Sequence, residues 1–123
     1  ADPDFVYVKN ETDKSIKYLE LKARDIFLLF DIQAKSCVKL KSGHQSWQSW
    51  LAVDGQFEGG KEVPSHGVNF FHQNKIRKPI SYCVTISTGK PTIESPDIEG
   101  YYGEKMIVPP SKNCACQNGQ IDK

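Results

Sequence analysis

Residues 80–87 read ISYCVTIS. Ile80, Tyr82, Val84 and Ile86 alternate with Ser81, Cys83, Thr85 and Ser87, so an extended chain places four apolar side chains on one face and a lone cysteine on the other. Cys37-Val38-Lys39-Leu40-Lys41 repeats the pattern, with Val38 and Leu40 opposite Cys37. Period-two patterning of this kind dominates the chain, and no helix-length window shows a clean 3.6-residue period. The expectation is an all-β domain.

Outward from that segment, Phe5–Val8, Ile16–Lys22, Asp25–Gln33, Gln45–Val53, Val68–Phe71, Thr92–Glu94 and Lys105–Val108 read as further strands, rich in aromatic and β-branched residues. Asp25–Gln33 contains the most apolar run, Ile26-Phe27-Leu28-Leu29-Phe30, and without interruptions it reads as a strand buried on both faces, a short helix being the alternative. Ser42-Gly43, Asp54-Gly55, Gly59-Gly60, Pro64–Gly67, Thr88-Gly89 and Ser95-Pro96-Asp97 carry turn chemistry, with Asp54-Gly55 expected to form a hairpin turn. About eight short strands spaced by turns predict a β-sandwich or jelly roll. It should span residues 4–110, with residues 111–123 a tail that is stapled by disulfides and then runs into a linker.

The staple follows from cysteine placement. Cys114 and Cys116 are two residues apart, so both sulfurs leave an extended tail on the same side, and a bridge between them would close a tight ring. Cys37 and Cys83 stand on the non-core faces of their strands, which makes them the natural acceptors, although spacing does not decide which takes which. A C-x-C with two isolated cysteines lacks the C-x₂₋₄-C knuckle usual for zinc, and nothing near Cys114 opens a helix as a redox C-x-x-C would. No metal or cofactor is expected.

At 123 residues the chain is the size of one domain. Sixteen basic residues against fifteen acidic give a net charge of +1, which removes any global electrostatic case for nucleic acid. Its longest apolar run is far short of the roughly 20 residues of a membrane helix. The even cysteine set and the sequon Asn10-Glu11-Thr12 point to an extracellular or cell-surface domain with a glycan on Asn10. Ala1-Asp2-Pro3 reads as a processed start or vector remnant, and the polar end as a cut through a linker, so a longer ectodomain is expected.

Catalytic motifs are absent: no phosphate loop, H-E-x-x-H or G-x-S-x-G occurs. His44, His66 and His72 lie in or beside polar stretches, and Asp54, Glu58 and Glu62 could converge after the expected hairpin. The binding candidates are Trp50 with Gln48 on the face opposite Leu51 and Val53, Tyr101-Tyr102 in a Gly-bounded loop, and the basic group Lys75, Arg77 and Lys78. These favour a non-enzymatic recognition module that takes a protein partner through loops and one sheet face. A carbohydrate-binding module using Trp50, Tyr101 and Tyr102 is the alternative, and a small secreted hydrolase using a histidine with a carboxylate is the third reading.

Overall fold

The computed structural model describes residues 5–41, 50–70, 80–103, 106–112, 114, 116 and 120–122. The chain folds as an all-β sandwich. Its strands are β1 (Phe5–Asn10), β2 (Ile16–Lys22), β3 (Ile26–Ile32), β4 (Cys37–Lys41), β5 (Trp50–Phe57), β6 (Glu62–Phe70), β7 (Ser81–Ile86), β8 (Thr92–Glu94), β9 (Gly100–Tyr102), β10 (Met106–Val108) and β11 (Gln120–Asp122). A five-stranded sheet runs β11-β4-β1-β7-β8, and a six-stranded sheet runs β10-β9-β6-β5-β2-β3. Two pairings in the smaller sheet, β1 with β7 and β11 with β4, are parallel.

The alternation of ISYCVTIS carries through to the core. Ile80, Tyr82, Val84 and Ile86 are all essentially inaccessible, and across from them lie Leu19, Leu21, Leu51, Val53, Val68 and Phe70 of the larger sheet. The Phe70 and Tyr82 rings stack at 4.2 Å between centroids and join the two sheets directly. Cys83 takes the opposite face and belongs to a separate small cluster with Tyr7 and Cys114, flanked by Phe5 and Cys116.

Both disulfides form between the tail and the non-core face. Cys37 bonds Cys116 and Cys83 bonds Cys114, with Cα separations of 5.7 and 5.5 Å that lie within the ordinary disulfide range. The end of the chain is not the linker expected from its polarity. Gln120, Ile121 and Asp122 pair in parallel with Cys37, Val38 and Lys39, so the tail completes an edge of the sheet to which it is stapled.

Several local expectations change. Asp54-Gly55 is not a turn but lies inside β5, and the hairpin turns instead at Glu58–Lys61, where Gly59 and Gly60 take φ of 95° and 98° and Gly60 N–H donates to the Phe57 carbonyl at 3.1 Å. Gly55 has another reason to be glycine: a Cβ there would sit 2.3 Å from the Tyr18 carbonyl oxygen, so only a residue without a side chain lets β2 and β5 approach. Pro64–Gly67, read as loop, is part of β6. The register slips by one residue between Val53 and Gly55, and the resulting bulge admits Pro64 to the strand. Tyr101-Tyr102 form β9 rather than a loop, because Gly100 and Tyr101 pair with Phe70 and Asn69.

The largest change concerns β3. It is a strand, yet it is an edge strand and is not buried on both faces. Leu29 packs into the core at 5% exposure, whereas Ile26, Leu28 and Phe30 are 63%, 50% and 56% exposed. Asp31 then adopts φ 55°, which interrupts the alternation and turns Ile32 inward, to 1% exposure.

Candidate functional site

The outer face of the six-stranded sheet carries the surface that calls for an explanation. On β2, Leu19 and Leu21 point inward, leaving Tyr18, Glu20 and Lys22 outward. Antiparallel pairing sets Lys22 beside Ile26, Glu20 beside Leu28 and Tyr18 beside Phe30, so the apolar stripe of β3 runs along a polar row. Glu20 and Lys22 are themselves opposite Asp54 and Ala52 of β5. Lys22 Nζ donates to Asp54 Oδ2 at 2.5 Å and lies 3.8 Å from Glu20 Oε2.

This cluster sets the charges of the face. Contact with the Asp54 carboxyl, followed by loss of water, pushes the Glu20 carboxyl above its ordinary pKa. Burial works to raise Asp54 as well, but hydrogen bonds from Lys22 and Glu20 outweigh it and hold Asp54 below its ordinary value. The same hydrogen bond to Asp54 raises Lys22. Asp54 is therefore engaged with β2 and not with Glu58 and Glu62. Glu58 sits in the hairpin turn, and Glu62 Oε1 is 3.5 Å from Gln56 Nε2.

Farther along the face, Trp50, Asn69, Tyr101 and Ile107 form one cross-strand row over β5, β6, β9 and β10. Trp50 is half-buried on the face opposite Leu51 and Val53. Tyr102, next along β9, is exposed, and its ring lies 4.6 Å from that of His66. His66 is in β6 and not in a loop. Its Nδ1 is buried without a hydrogen-bond partner among the described residues, and burial, then the charge of Lys90, lowers its pKa. Lys90 Nζ stands 5.1 Å over the Tyr102 ring.

Asn10 departs furthest from its sequence reading. It closes β1 on the core side, 1% exposed. Its Nδ2 donates toward the carbonyls of Lys14 at 2.8 Å, Gln33 at 3.1 Å and Ile32 at 3.4 Å, while Oδ1 accepts from Thr12 N at 3.1 Å and Thr12 Oγ1 at 2.7 Å. A glycan on Nδ2 would have to occupy the space of those three carbonyls. In the folded chain Asn10, the residue expected to accept a glycan, ties the β1–β2 turn to the β3–β4 turn.

Gln48, Lys75, Arg77, Lys78, His44 and His72 lie outside the described residues. Depressions of about 560 Å³ beside Lys9, Asn10 and Lys35, and about 270 Å³ beside Thr12, Phe57 and Pro64, open at the end of the sandwich that carries the Asn10 clamp. Among the described residues no group of three or more His, Cys, Asp or Glu side chains is placed to hold a metal ion.

The exposed stripe on β3 was missed by sequence reasoning, although its signal was visible. IFLLF is apolar at every position, and only the strand's place at a sheet edge decides that half of it faces out. No protein-family model, no curated protein and no solved structure matches the chain. The site therefore stands on its own residues.

Proposed function

We propose that this domain is an extracellular recognition module that docks a protein partner on the outer face of its six-stranded sheet, with β3 as the anchor. The observation behind this reading is the stripe of Ile26, Leu28 and Phe30, three large apolar residues each at least half exposed on consecutive outward positions of an edge strand. Single exposed hydrophobic residues are ordinary, but an aligned set on an edge is a surface for another chain. Two disulfides in a domain this small fit an oxidising compartment.

Magnitude says how much of the face must take part. Fully burying such a side chain is worth about 1.5–3 kcal/mol, so covering the exposed half of each returns roughly 1 kcal/mol, or about 3 for the stripe. Association costs at least about 4 kcal/mol in lost freedom. The stripe alone does not hold a partner, and main-chain pairing along β3 or contact with Tyr18 and the Glu20–Lys22–Asp54 cluster has to supply the rest.

A test is photo-cross-linking from position 28, with position 41 on the outer face of the other sheet as control, against a fraction of extracellular proteins. The expected result is a discrete adduct from position 28 that excess wild-type chain suppresses and excess Phe30→Asp chain does not. Equal adducts from both positions, or none from position 28, would overturn the reading. A glycan ligand on the same face is a second reading, favoured by the row of Trp50, Asn69 and Tyr101. A glycan array that responds to the wild type and not to Trp50→Ala would support it over the protein partner.

A further inference from the structure

Resting on that reading, we propose that the outer edge of β3, terminal in its sheet among the described residues, accepts an extended segment of the partner as an added strand. Its apolar residues would cover Ile26, Leu28 and Phe30, and its ends would carry Lys or Arg facing Asp25 and Asp31. Three observations combine. First, β3 is terminal in its sheet, and residues 26–30 carry neither a charge nor a proline, the usual devices that keep an edge from pairing. Second, its outward positions alternate regularly from 26 to 30, which suits a strand whose side chains interleave at a spacing of two. Third, the apolar run is bracketed by two exposed carboxylates, Asp25 and Asp31, and neither is in an ion pair among the described residues.

The bracket selects between occupants. A second copy pairing antiparallel about Leu28 would bring Ile26 opposite Phe30, which is favourable. It would also bring Asp25 of each copy, just outside β3, toward Asp31 of the other at both ends of the ladder. Moving the two-fold to Phe27 keeps the faces aligned but shortens the ladder to three pairs and leaves Phe30 against Arg24 in the β2–β3 bend. Like charges facing each other oppose pairing in the Leu28 register, which buries the whole stripe, where a basic-ended segment is welcomed. Main-chain hydrogen bonds would supply affinity along the edge, and the end charges would supply register and choice of partner.

The experiment uses the oxidised full chain and three synthetic ten-residue peptides of alternating Val and Thr: one with Lys at each end, one with Glu at each end, and the Lys-ended peptide with alternate amides N-methylated. Binding is read by calorimetry, and its location by amide exchange. The Lys-ended peptide is expected to bind and to protect amides of residues 26–30. The Glu-ended peptide should bind about tenfold or more weakly, and the N-methylated one should not bind measurably. Asp25→Asn with Asp31→Asn should erase the difference between Lys and Glu ends. Equal binding of the N-methylated peptide, or protection elsewhere than β3, overturns strand addition. So does concentration-dependent dimerisation abolished by Leu28→Asp, which would give the edge to a second copy. A position-28 adduct with none of these peptide effects removes strand addition and leaves the surface reading standing, whereas loss of the adduct removes both.

Discussion

Replacing Asn10 by Ala removes the clamp between two turns, and its cost can be worked from the contacts. The amide has two hydrogens, which serve the Lys14 and Gln33 carbonyls at 2.8 and 3.1 Å, with Ile32 at 3.4 Å sharing weakly. Its oxygen serves Thr12 N, while the Thr12 hydroxyl keeps a second acceptor at Lys14 O, 3.0 Å away. Three hydrogen bonds are lost without replacement. At about 1 kcal/mol each, and with at least one carbonyl left dry, the total is about 3–4 kcal/mol, well above the cost of an average substitution. Asn10→Asp is expected to do worse at neutral pH, because it points a carboxylate at carbonyl oxygens. Its folded pKa is then raised above the unfolded value of about 3.9, so its stability relative to wild type is greatest below that value and is lost as pH rises through the folded pKa. Urea unfolding followed by Trp fluorescence, disulfides intact, measures both variants. A cost under about 1 kcal/mol for Asn10→Ala, or equal stability of the Asp and Ala variants at pH 7, would refute the clamp. In a glycosylating host, the folded fraction should show no loss of mass at Asn10 on glycosidase treatment.

Two further outcomes follow from the same geometry. Removing the Cys37–Cys116 bond, whose ends are 79 residues apart, should cost ~4.5 kcal/mol and removing Cys83–Cys114, with a separation of 31, ~3.7 kcal/mol in the chain-entropy treatment, with only the former exposing β11 to limited proteolysis. Burial and Lys90 lower His66 from 6.5, so the stability of its neutral form is fully present above about pH 6.5 and is lost as pH falls through the lowered folded value. Melting curves at pH 7 and 5 should therefore show a smaller fall for His66→Phe than for the wild type, and an equal fall would remove His66 from the acid response.

What was legible in the sequence was whatever depends on parity alone. The alternation in ISYCVTIS and CVKLK fixed both the core face and the outward sulfurs, and the C-x-C spacing made the tail a double anchor. What depends on neighbours in space was not legible. Asp54-Gly55 has hairpin composition, yet Gly55 is needed for the approach of Tyr18, which belongs to another strand and to no local pattern. Asn10 has the composition of an acceptor, but its amide is directed at the carbonyls of Lys14, Ile32 and Gln33, two of them distant in sequence. IFLLF identifies a strand, but whether a strand is central or terminal is a property of the sheet order and not of its residues.

The two outer faces of the sandwich treat apolar surface in opposite ways. On the five-stranded sheet, Phe5 and Tyr7 are covered by the disulfides and by the tail, and Lys39 places its ammonium 4.2 Å over the Phe5 ring. There the chain folds back over its own hydrophobic residues. On the six-stranded sheet, Ile26, Leu28 and Phe30 are left open among the described residues, although nothing in the core requires them to be apolar. Threonine would suit the pleat as well and would remove the risk of edge pairing. Aspartates at both ends of the run act as the guards that flank a hydrophobic strand when its middle is kept. A surface that is guarded at its ends but not replaced along its length is better accounted for by a use than by an oversight of packing. For that reason β3, and not the histidines or the tyrosine pair, is where a partner should be sought first.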